Sequence, residues 1–256
     1  MRGHALEYRS WGPRDGPALV LLHEGLGSVS LWRDFPARLA ARTGRRVVAY
    51  SRSGHGHSDP VSLPRSVRFM HDEALDELPA VLDALALDRA TLVGHSDGGS
   101  IALIFAGAHP SRVESLVLEA PHVFVEALSL RSIRRMRDEY ATAGLRGRLA
   151  RHHGANVDVA FRGWNDVWLD PAFRTWSIAD AVARVKCPIL VLQGELDEYG
   201  TPAQVLAIHA LAAGPVESLL LQACGHSPHR DQPEAVLTET ERFLGRYAQR
   251  VHSTAG

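Results

Sequence analysis

Residues 94–98 read Gly-His-Ser-Asp-Gly, a G-x-S-x-G pattern that follows the apolar run Ala90–Val93 and precedes the helical stretch Ile101–Ala106. A serine hydroxyl becomes a nucleophile only when it is exposed beside a base and beside donors for the negative charge that it creates. A sharp turn between a strand and a helix gives that exposure, and the two glycines leave room around it. The pattern therefore predicts that Ser96 is a catalytic nucleophile rather than a capping serine in a glycine-rich turn.

A catalytic serine needs a base, and histidine is the usual base near neutral pH. The chain has 14 histidines, of which His226 has the most informative position. It follows the last strand-like run, Val216–Ala223, with a glycine directly before it, and it precedes the last helical stretch. This order places it on a loop at the same sheet edge as Ser96, so His226 is the predicted base.

The acid that orients the histidine is expected between the serine and the histidine in the chain, in the order Ser, Asp, His. Asp197 lies just past the run Cys187–Gly194 and fits this order. Glu119, near the end of the run Val113–Ala120, is a rival, because a carboxylate there could also reach the histidine. We favour Asp197 and keep Glu119 as the alternative.

The order of the elements supports a common edge for these residues. Several strand-like runs are apolar throughout, which is typical of a parallel sheet that helices cover on both faces. The predicted fold is a doubly wound, mostly parallel α/β sheet with its ligand crevice beyond the carboxyl ends of the strands. The predicted strands are Ala5–Ser10, Ala18–His23, Arg46–Ser51, Ala90–His95, Val113–Ala120, Cys187–Gly194 and Val216–Ala223.

One interval, 122–185, interrupts the alternation of strands and helices. It has no strand-like run, and it holds three of the five tryptophans. An insertion of this length after a strand predicts a helical cap over the crevice, on a core made of residues 1–121 and 186–256. Trp164 and Trp168 are its candidate substrate contacts. The alternative is an ordinary part of the helical layer.

Composition limits the classes of function. The formal net charge is −1, so no basic surface for nucleic acid or for an anionic membrane is indicated. The apolar runs are shorter than a transmembrane helix, and early charged residues break up any signal peptide. The chain has no H-E-x-x-H or G-x-x-x-x-G-K motif, and its two cysteines lack ligand spacing. We expect a cytoplasmic monomer or homodimer that acts on a small molecule and needs no metal or cofactor.

The negative charge of an acyl-transfer intermediate needs donors. The N–H of Asp97, at the start of a helix, is one candidate, and the loop after Ala18–Leu22 should supply the other. Glu24 lies in that loop and puts a carboxylate beside a site that holds negative charge. It either faces the pocket, as a substrate-binding residue, or turns away into a structural hydrogen bond.

With these residues placed, the chain resembles the α/β-hydrolase superfamily over essentially its whole length. By position, the resemblance implies that Ser96 is the nucleophile, Asp197 the acid and His226 the base. It also implies that the N–H groups of Gly25 and Asp97 form the oxyanion hole. The matching motifs are His-Glu-Gly at 23–25, Tyr-Ser-Arg-Ser-Gly-His-Gly-His-Ser at 50–58, Gly-His-Ser-Asp-Gly-Gly at 94–99, Gly-Glu-Leu-Asp at 194–197 and Gly-His at 225–226.

Two positions depart from the family pattern: Glu24 replaces a usual glycine, and Ser51 replaces a common aspartate. Locally, residues 24–27 and 119–121 look like fungal zearalenone lactonases, whose acid occupies the earlier strand, so Glu119 and a lactone substrate stay open. The chain is expected to be a serine hydrolase of small carboxylic esters or lactones that acts through an acyl-enzyme on Ser96. The alternatives are a C–C bond hydrolase of ring-cleavage products, with the same three residues, and a non-catalytic ligand receptor.

Overall fold

The computed structural model describes residues 4–142 and 144–253. Within them, seven strands form one sheet in the order β1-β3-β2-β4-β5-β6-β7. Strands β2 to β7 are parallel to one another, and β1 runs antiparallel to β3 at the edge. The strands are β1 (Tyr8–Trp11), β2 (Ala18–Leu22), β3 (Arg46–Tyr50), β4 (Ala90–His95), β5 (Val113–Glu119), β6 (Ile189–Gly194) and β7 (Val216–Leu221).

Six of the seven predicted runs contain a strand and the first overlaps one, so the prediction of a doubly wound, mostly parallel sheet is confirmed. The first run differs most, since the strand begins at Tyr8 rather than at Ala5. The backbone of residues 5–7 instead bonds to the loop that follows β3: Ser51 N–H donates to Glu7 O, and Asp59 N–H donates to Ala5 O. These non-ladder hydrogen bonds explain why the strand starts late.

Helices cover both faces of the sheet. Apolar residues of α1 and α11 pack on one face, while those of α2 to α4 and of the segment between β5 and β6 pack on the other. A π-helical turn, Glu73–Glu77, joins α2 to α3. The helices are α1 (Phe35–Thr43), α2 (Phe69–Asp72), α3 (Leu78–Ala84), α4 (Asp97–Ala108), α5 (Ala127–Thr142), α6 (Leu145–His153), α7 (Val157–Leu169), α8 (Ala179–Val182), α9 (Pro202–Leu211), α10 (Pro228–Asp231) and α11 (Pro233–Ser253).

Helices α5 to α8 lie in the segment 122–185 between β5 and β6, hereafter the inserted segment. Its first and third helices pack closely, because the ring of Tyr140 on α5 stacks on Phe161 of α7 with centroids 3.6 Å apart. The Asn165 amide donates to the Ile133 carbonyl at 3.0 Å between the same helices. None of the described helices has both the length and the apolar character that crossing a bilayer requires.

Candidate active site

Ser96 lies in the tight turn between β4 and α4. Its backbone φ is 54°, a left-handed value that is uncommon for a residue with a side chain. The turn needs glycine on both sides, since a Cβ on Gly94 would meet the Gly98 carbonyl and a Cβ on Gly98 would meet the Leu22 carbonyl. The Ser96 N–H donates a hydrogen bond to the Glu119 carbonyl at 2.9 Å, and this bond holds the turn against β5.

The structure brings Ser96, His226 and Asp197 together from three loops at the carboxyl edge of the sheet. His226 Nε2 lies 2.9 Å from Ser96 Oγ, and His226 Nδ1 lies 2.8 Å from Asp197 Oδ1. An ionised carboxylate only accepts, so Nδ1 carries the proton and Nε2 is free to accept from the serine hydroxyl. This arrangement can pass the serine proton to the imidazole as the oxygen attacks an electrophile.

Asp197 is held by donors other than the histidine. Its Oδ1 accepts from the N–H groups of Tyr199 at 2.7 Å and Gly200 at 3.1 Å, and its Oδ2 accepts from Gln193 Nε2 at 2.6 Å. Burial raises the pKa of this carboxyl, but the charge and hydrogen bond of His226, with the Tyr199 N–H, outweigh burial and hold the pKa below its ordinary value. Asp197 therefore stays ionised beside His226.

The same balance acts on His226 with the opposite sign. Burial lowers the pKa of the imidazole, whereas the charge and hydrogen bond of Asp197 raise it, and the result is a pKa above the ordinary value. Two further carboxylates, Glu198 and Glu24, act in the same direction. The backbone of His226 is fixed as well, since His95 Nε2 donates to its carbonyl at 2.7 Å.

Glu119 does not contact His226. Its Oε2 instead accepts from the backbone N–H of His229 at 2.7 Å and faces His229 Nδ1 at 2.9 Å. The His229 ring packs on Trp32 at a centroid distance of 4.7 Å. Of the two carboxylates that the sequence left open, Asp197 is therefore the one that contacts His226, whereas Glu119 bonds to the neighbouring turn at His229.

Gly25 and Asp97 both line the cavity that contains Ser96, and each has a backbone N–H group. Neither group has an acceptor within the described part of the chain. The Asp97 N–H is left over because this residue opens α4, whose first N–H groups have no intrahelical partner. Gly25 must lack a side chain, because a Cβ there would overlap the indole of Trp164. Both N–H groups are available to an oxyanion on a substrate bound at Ser96.

Glu24 combines the two roles between which the sequence could not decide. It lines the cavity, and its carboxylate also accepts the N–H of Leu26 in its own loop. Burial raises the pKa of the Glu24 carboxyl, while the Leu26 N–H and the charge of Arg52 act against that rise. The side chain is therefore a hydrogen-bonded part of the loop, and the residue also lines the cavity.

The carboxyl group of Asp97 is fully buried. Its Oδ1 accepts from the indole N–H of Trp168 at 3.2 Å. Burial raises the pKa of Asp97 to about 6, with Arg52 opposing the rise and Glu24 adding to it. This hydrogen bond connects Trp168 of the inserted segment to Asp97, the residue directly after Ser96.

The cavity above Ser96 has a volume of about 320 Å³. Apart from histidines, its acidic and basic residues are Glu24, Asp97, Glu198 and Arg230. Both predicted substrate contacts, Trp164 and Trp168, lie in its wall. The inserted segment contributes an apolar surface to this wall, made of Ile133 and Met136 from α5, Leu145 and Leu149 from α6, and Trp164 and Trp168 from α7.

Three residues at or beside the site were not singled out from the sequence. Tyr199 packs its ring on His226 at 4.6 Å, and its position two residues after Asp197 was a usable signal. His122 also lines the cavity, and burial lowers the pKa of its imidazole to about 3, which keeps it neutral. Arg52, in the 50–58 motif, is buried and donates to the carbonyls of His23 and Glu24. Only its place in a matched motif pointed to it.

A metal centre has no support in the described ranges. Across residues 4–142 and 144–253, no group of three or more His, Cys, Asp or Glu side chains has the geometry to hold an ion. The residues around Ser96 instead offer a hydroxyl, an imidazole, a carboxylate and free N–H groups. These are the parts that metal-independent acyl transfer uses.

Curated proteins and solved structures resemble this chain. It is 39% identical to the 2-hydroxymuconate semialdehyde hydrolase of Pseudomonas sp. (strain CF600) over 106 residues, which are 40% of this chain and 36% of that protein. The matched stretch spans less than half of the length of the first curated relatives.

The fold of the whole chain also matches solved structures. One is from work on the carboxylesterases of Nitrososphaera gargenis, with a TM-score of 0.77, 19% identity and 96% of both chains covered. Another is the enol-lactonase of Burkholderia xenovorans LB400, with a TM-score of 0.71, 24% identity and coverage of 95% and 97%. At these identities the likeness shows the fold alone. The family model for the alpha/beta hydrolase fold matches residues 17–175. That is more than half of the chain, which therefore belongs to the alpha/beta hydrolase fold family.

Proposed function

We propose that this protein is a serine hydrolase that cleaves small carboxylic esters or lactones through an acyl-enzyme on Ser96. The observation that carries the proposal is the continuous chain of hydrogen bonds from Ser96 Oγ through His226 to Asp197, with Ser96 opening on a cavity of about 320 Å³. Hydrogen bonds in this series, from serine to histidine to carboxylate, make a serine hydroxyl nucleophilic near neutral pH.

In the first half of the reaction, Ser96 Oγ bonds to the substrate carbonyl carbon while its proton moves to His226 Nε2. The carbonyl oxygen becomes an oxyanion, which the N–H groups of Gly25 and Asp97 stabilise. The C–O bond to the leaving group then breaks, and the leaving oxygen takes the proton from His226. An ester releases an alcohol at this point, whereas a lactone keeps its new hydroxyl within the acyl group.

In the second half, a water molecule gives its proton to His226 Nε2 and its oxygen attacks the acyl carbon. Collapse of this second oxyanion breaks the bond to Ser96 Oγ, which recovers its proton from His226. Asp197 stays ionised throughout and stabilises the imidazolium that forms twice. The four steps need no cofactor, because every proton that leaves one oxygen is returned to another.

The cavity supports a substrate that is small and largely apolar. We propose that the inserted segment 122–185 acts as a cap on a core made of residues 1–121 and 186–256. Its apolar side chains, including Trp164 and Trp168, then shield the acyl group from water. Three acidic residues line the cavity, Glu24, Glu198 and the buried Asp97, against the single guanidinium of Arg230. The wall therefore disfavours an acyl group that carries negative charge near the scissile carbonyl.

One observation favours a second candidate, a C–C bond hydrolase of ring-cleavage products. Arg230 is exposed at the cavity, where its charge also acts on Glu24, and its guanidinium is accessible to a substrate carboxylate. The similarity to the 2-hydroxymuconate semialdehyde hydrolase points the same way. A non-catalytic receptor has less support, since Ser96, His226 and Asp197 are all in reacting geometry.

The test compares wild type with Ser96→Ala on p-nitrophenyl esters, lactones and vinylogous diketones, together with labelling by a fluorophosphonate. We expect wild type to react with the probe and to turn over esters or lactones fastest. Ser96→Ala removes one oxygen and no packing, so it should fold and should lose about 10⁴-fold or more in rate. Faster turnover of diketones would favour the C–C hydrolase, and a wild-type protein that neither labels nor turns over any substrate would contradict both.

A further inference from the structure

The turn at residues 24–27, which contains Gly25, has three peptide units, and their N–H and C=O groups differ in their hydrogen-bond partners. The Gly27 N–H donates to Glu24 O at 3.0 Å and closes the turn. The Leu26 N–H donates to the carboxylate of Glu24. In the described part of the chain only the Gly25 N–H has no acceptor, which leaves it as the single free donor of the turn.

The carbonyls of this turn are held from outside it. Arg52 Nη2 donates to Glu24 O at 3.0 Å, and His55 Nε2 lies 3.1 Å from Gly25 O. In a planar trans peptide the C=O and the next N–H point in opposite directions, so the hold on Glu24 O sets the direction of the Gly25 N–H. The last carbonyl, Leu26 O, faces a residue of the inserted segment.

That residue is His153, the last residue of α6. Its Nε2 lies 2.8 Å from Leu26 O, and its Nδ1 lies 3.0 Å from the backbone nitrogen of Gly56. A backbone N–H can only donate, so Nδ1 must accept and Nε2 must carry the proton that Leu26 O accepts. Burial lowers the pKa of His153, which keeps the ring in this neutral form.

We propose that His153 is a positioning residue for the oxyanion hole: its Nε2–H holds Leu26 O and so makes helix α6 of the inserted segment a part of the turn that presents the Gly25 N–H. This inference rests on the proposed function, because an oxyanion hole matters only if Ser96 attacks a carbonyl. It gives the inserted segment a second role beside covering the cavity. The segment also fixes the donor that the transition state needs.

The two ring nitrogens can be tested separately with amide side chains. The amide of glutamine reaches the position of Nε2, so His153→Gln can keep the donor to Leu26 O and lose the acceptor for Gly56. The shorter His153→Asn can keep the acceptor for Gly56 and lose the donor to Leu26 O. Each variant lacks one buried hydrogen bond, so similar losses of Tm are expected and stability alone cannot separate them.

The experiment measures kcat and KM for an ester that wild type hydrolyses, per active site titrated with a fluorophosphonate, so a partly unfolded variant remains comparable. We expect His153→Gln to keep kcat within about threefold, and His153→Asn to lower kcat about tenfold or more with KM nearly unchanged. The loss falls on kcat because the oxyanion exists only in the transition state, and removing such a donor outright lowers kcat about 10²–10³-fold.

A second readout is independent of turnover. A trifluoromethyl ketone forms an oxyanion on Ser96, so its affinity should fall in His153→Asn and persist in His153→Gln, while the affinity of the parent methyl ketone should stay constant. The matched control is His152→Asn on the same helix, whose ring bonds Ser30 Oγ at 2.9 Å outside the turn. We expect its kcat and ketone affinities to equal those of wild type.

Equal kcat in His153→Asn and His153→Gln, or a change in KM alone, would overturn the inference while leaving the proposed function intact. Asn156→Ala gives a further check, because Asn156 bonds Gly56 O and Ser58 O but not the turn. This variant should lower Tm without lowering kcat, and a matching fall in kcat would mean that general loosening of the segment explains the effect. Failure of the wild-type protein to label would instead contradict the proposed function.

Discussion

Two histidine–carboxylate pairs lie side by side at the carboxyl edge of the sheet. In one, His226 Nδ1 faces Asp197 at 2.8 Å; in the other, His229 Nδ1 faces Glu119 at 2.9 Å. All four side chains are largely buried, and the His226 side chain is the most exposed of them, at 12%. By distance and burial alone, the two pairs are nearly interchangeable.

They differ in what lies beyond the histidine. The second ring nitrogen of His226 meets Ser96 Oγ, and the ring borders the cavity. The His229 ring is instead enclosed by Trp32, Phe35 and His95, with ring centroids within 5.4 Å. A histidine–carboxylate pair therefore has the geometry for catalysis only where a hydroxyl and a substrate cavity adjoin it, and otherwise it is a structural element.

The largest expected effect separates the two pairs by function. Asp197→Asn removes the charge that stabilises the imidazolium and should lower kcat/KM about 10⁴-fold, whereas Glu119→Gln should lower it less than about tenfold. Asp197→Asn should fold, because the new side chain keeps its size and one oxygen that accepts from the N–H groups of Tyr199 and Gly200. Steady-state kinetics on a short ester measure both variants, and a larger loss in Glu119→Gln would exchange the two roles.

The pH profile sharpens the same comparison. The base must be neutral to accept the serine proton, and the pKa of His226 is raised above its ordinary 6.5, so kcat/KM should fall about tenfold per pH unit below that raised pKa. In Asp197→Asn the acid limb should move to lower pH, because the charge that raises the pKa is gone. Glu119→Gln should leave the limb in place. An acid limb that stays in place in Asp197→Asn would contradict the pairing of His226 with Asp197.

The two variants should rank in the opposite order for stability: Glu119→Gln should lower the free energy of unfolding more than Asp197→Asn does. Glu119 Oε1 is fully buried without a partner within the described ranges, and its Oε2 accepts two donors of His229. Glu119→Gln weakens this hydrogen bonding and buries an unpaired amide N–H, so the free energy of unfolding should fall by about 1–3 kcal/mol. Urea unfolding measures this loss. The exposed Glu195→Gln is the control and should change the free energy by less than about 0.5 kcal/mol.

The smallest expected effect concerns substrate charge at Glu24. Glu24→Gln keeps an oxygen for the Leu26 N–H and removes the charge from the cavity wall. It should raise kcat/KM for an anionic acyl group relative to a neutral one by about 1 kcal/mol, or about fivefold. Matched esters with and without an acyl carboxylate give this ratio, and Glu195→Gln should leave it unchanged. An unchanged ratio in Glu24→Gln would make this side chain a loop residue only.

The sequence was sufficient to predict that Ser96, His226 and Asp197 come together, because each lies within three residues of the end of a strand-like run. Parallel strands end at one edge, so residues that follow different strands are brought together without any knowledge of side-chain contacts. Glu119 shows the limit of this rule. It also ends a strand, and nothing in the sequence says which of two carboxylates a histidine ring will face.

What the sequence determined by itself was local and periodic: the alternation of strands and helices, the G-x-S-x-G turn, and the positions of Ser96, Asp197 and His226 along the chain. The tertiary structure decided the rest, because the contacts between side chains of distant elements follow no period that can be read along the chain. Only the fold places His153 on Leu26, 127 residues away, and Glu119 on His229. Hydrogen-bond partners are chosen by distance and direction in three dimensions, and those depend on how every layer packs.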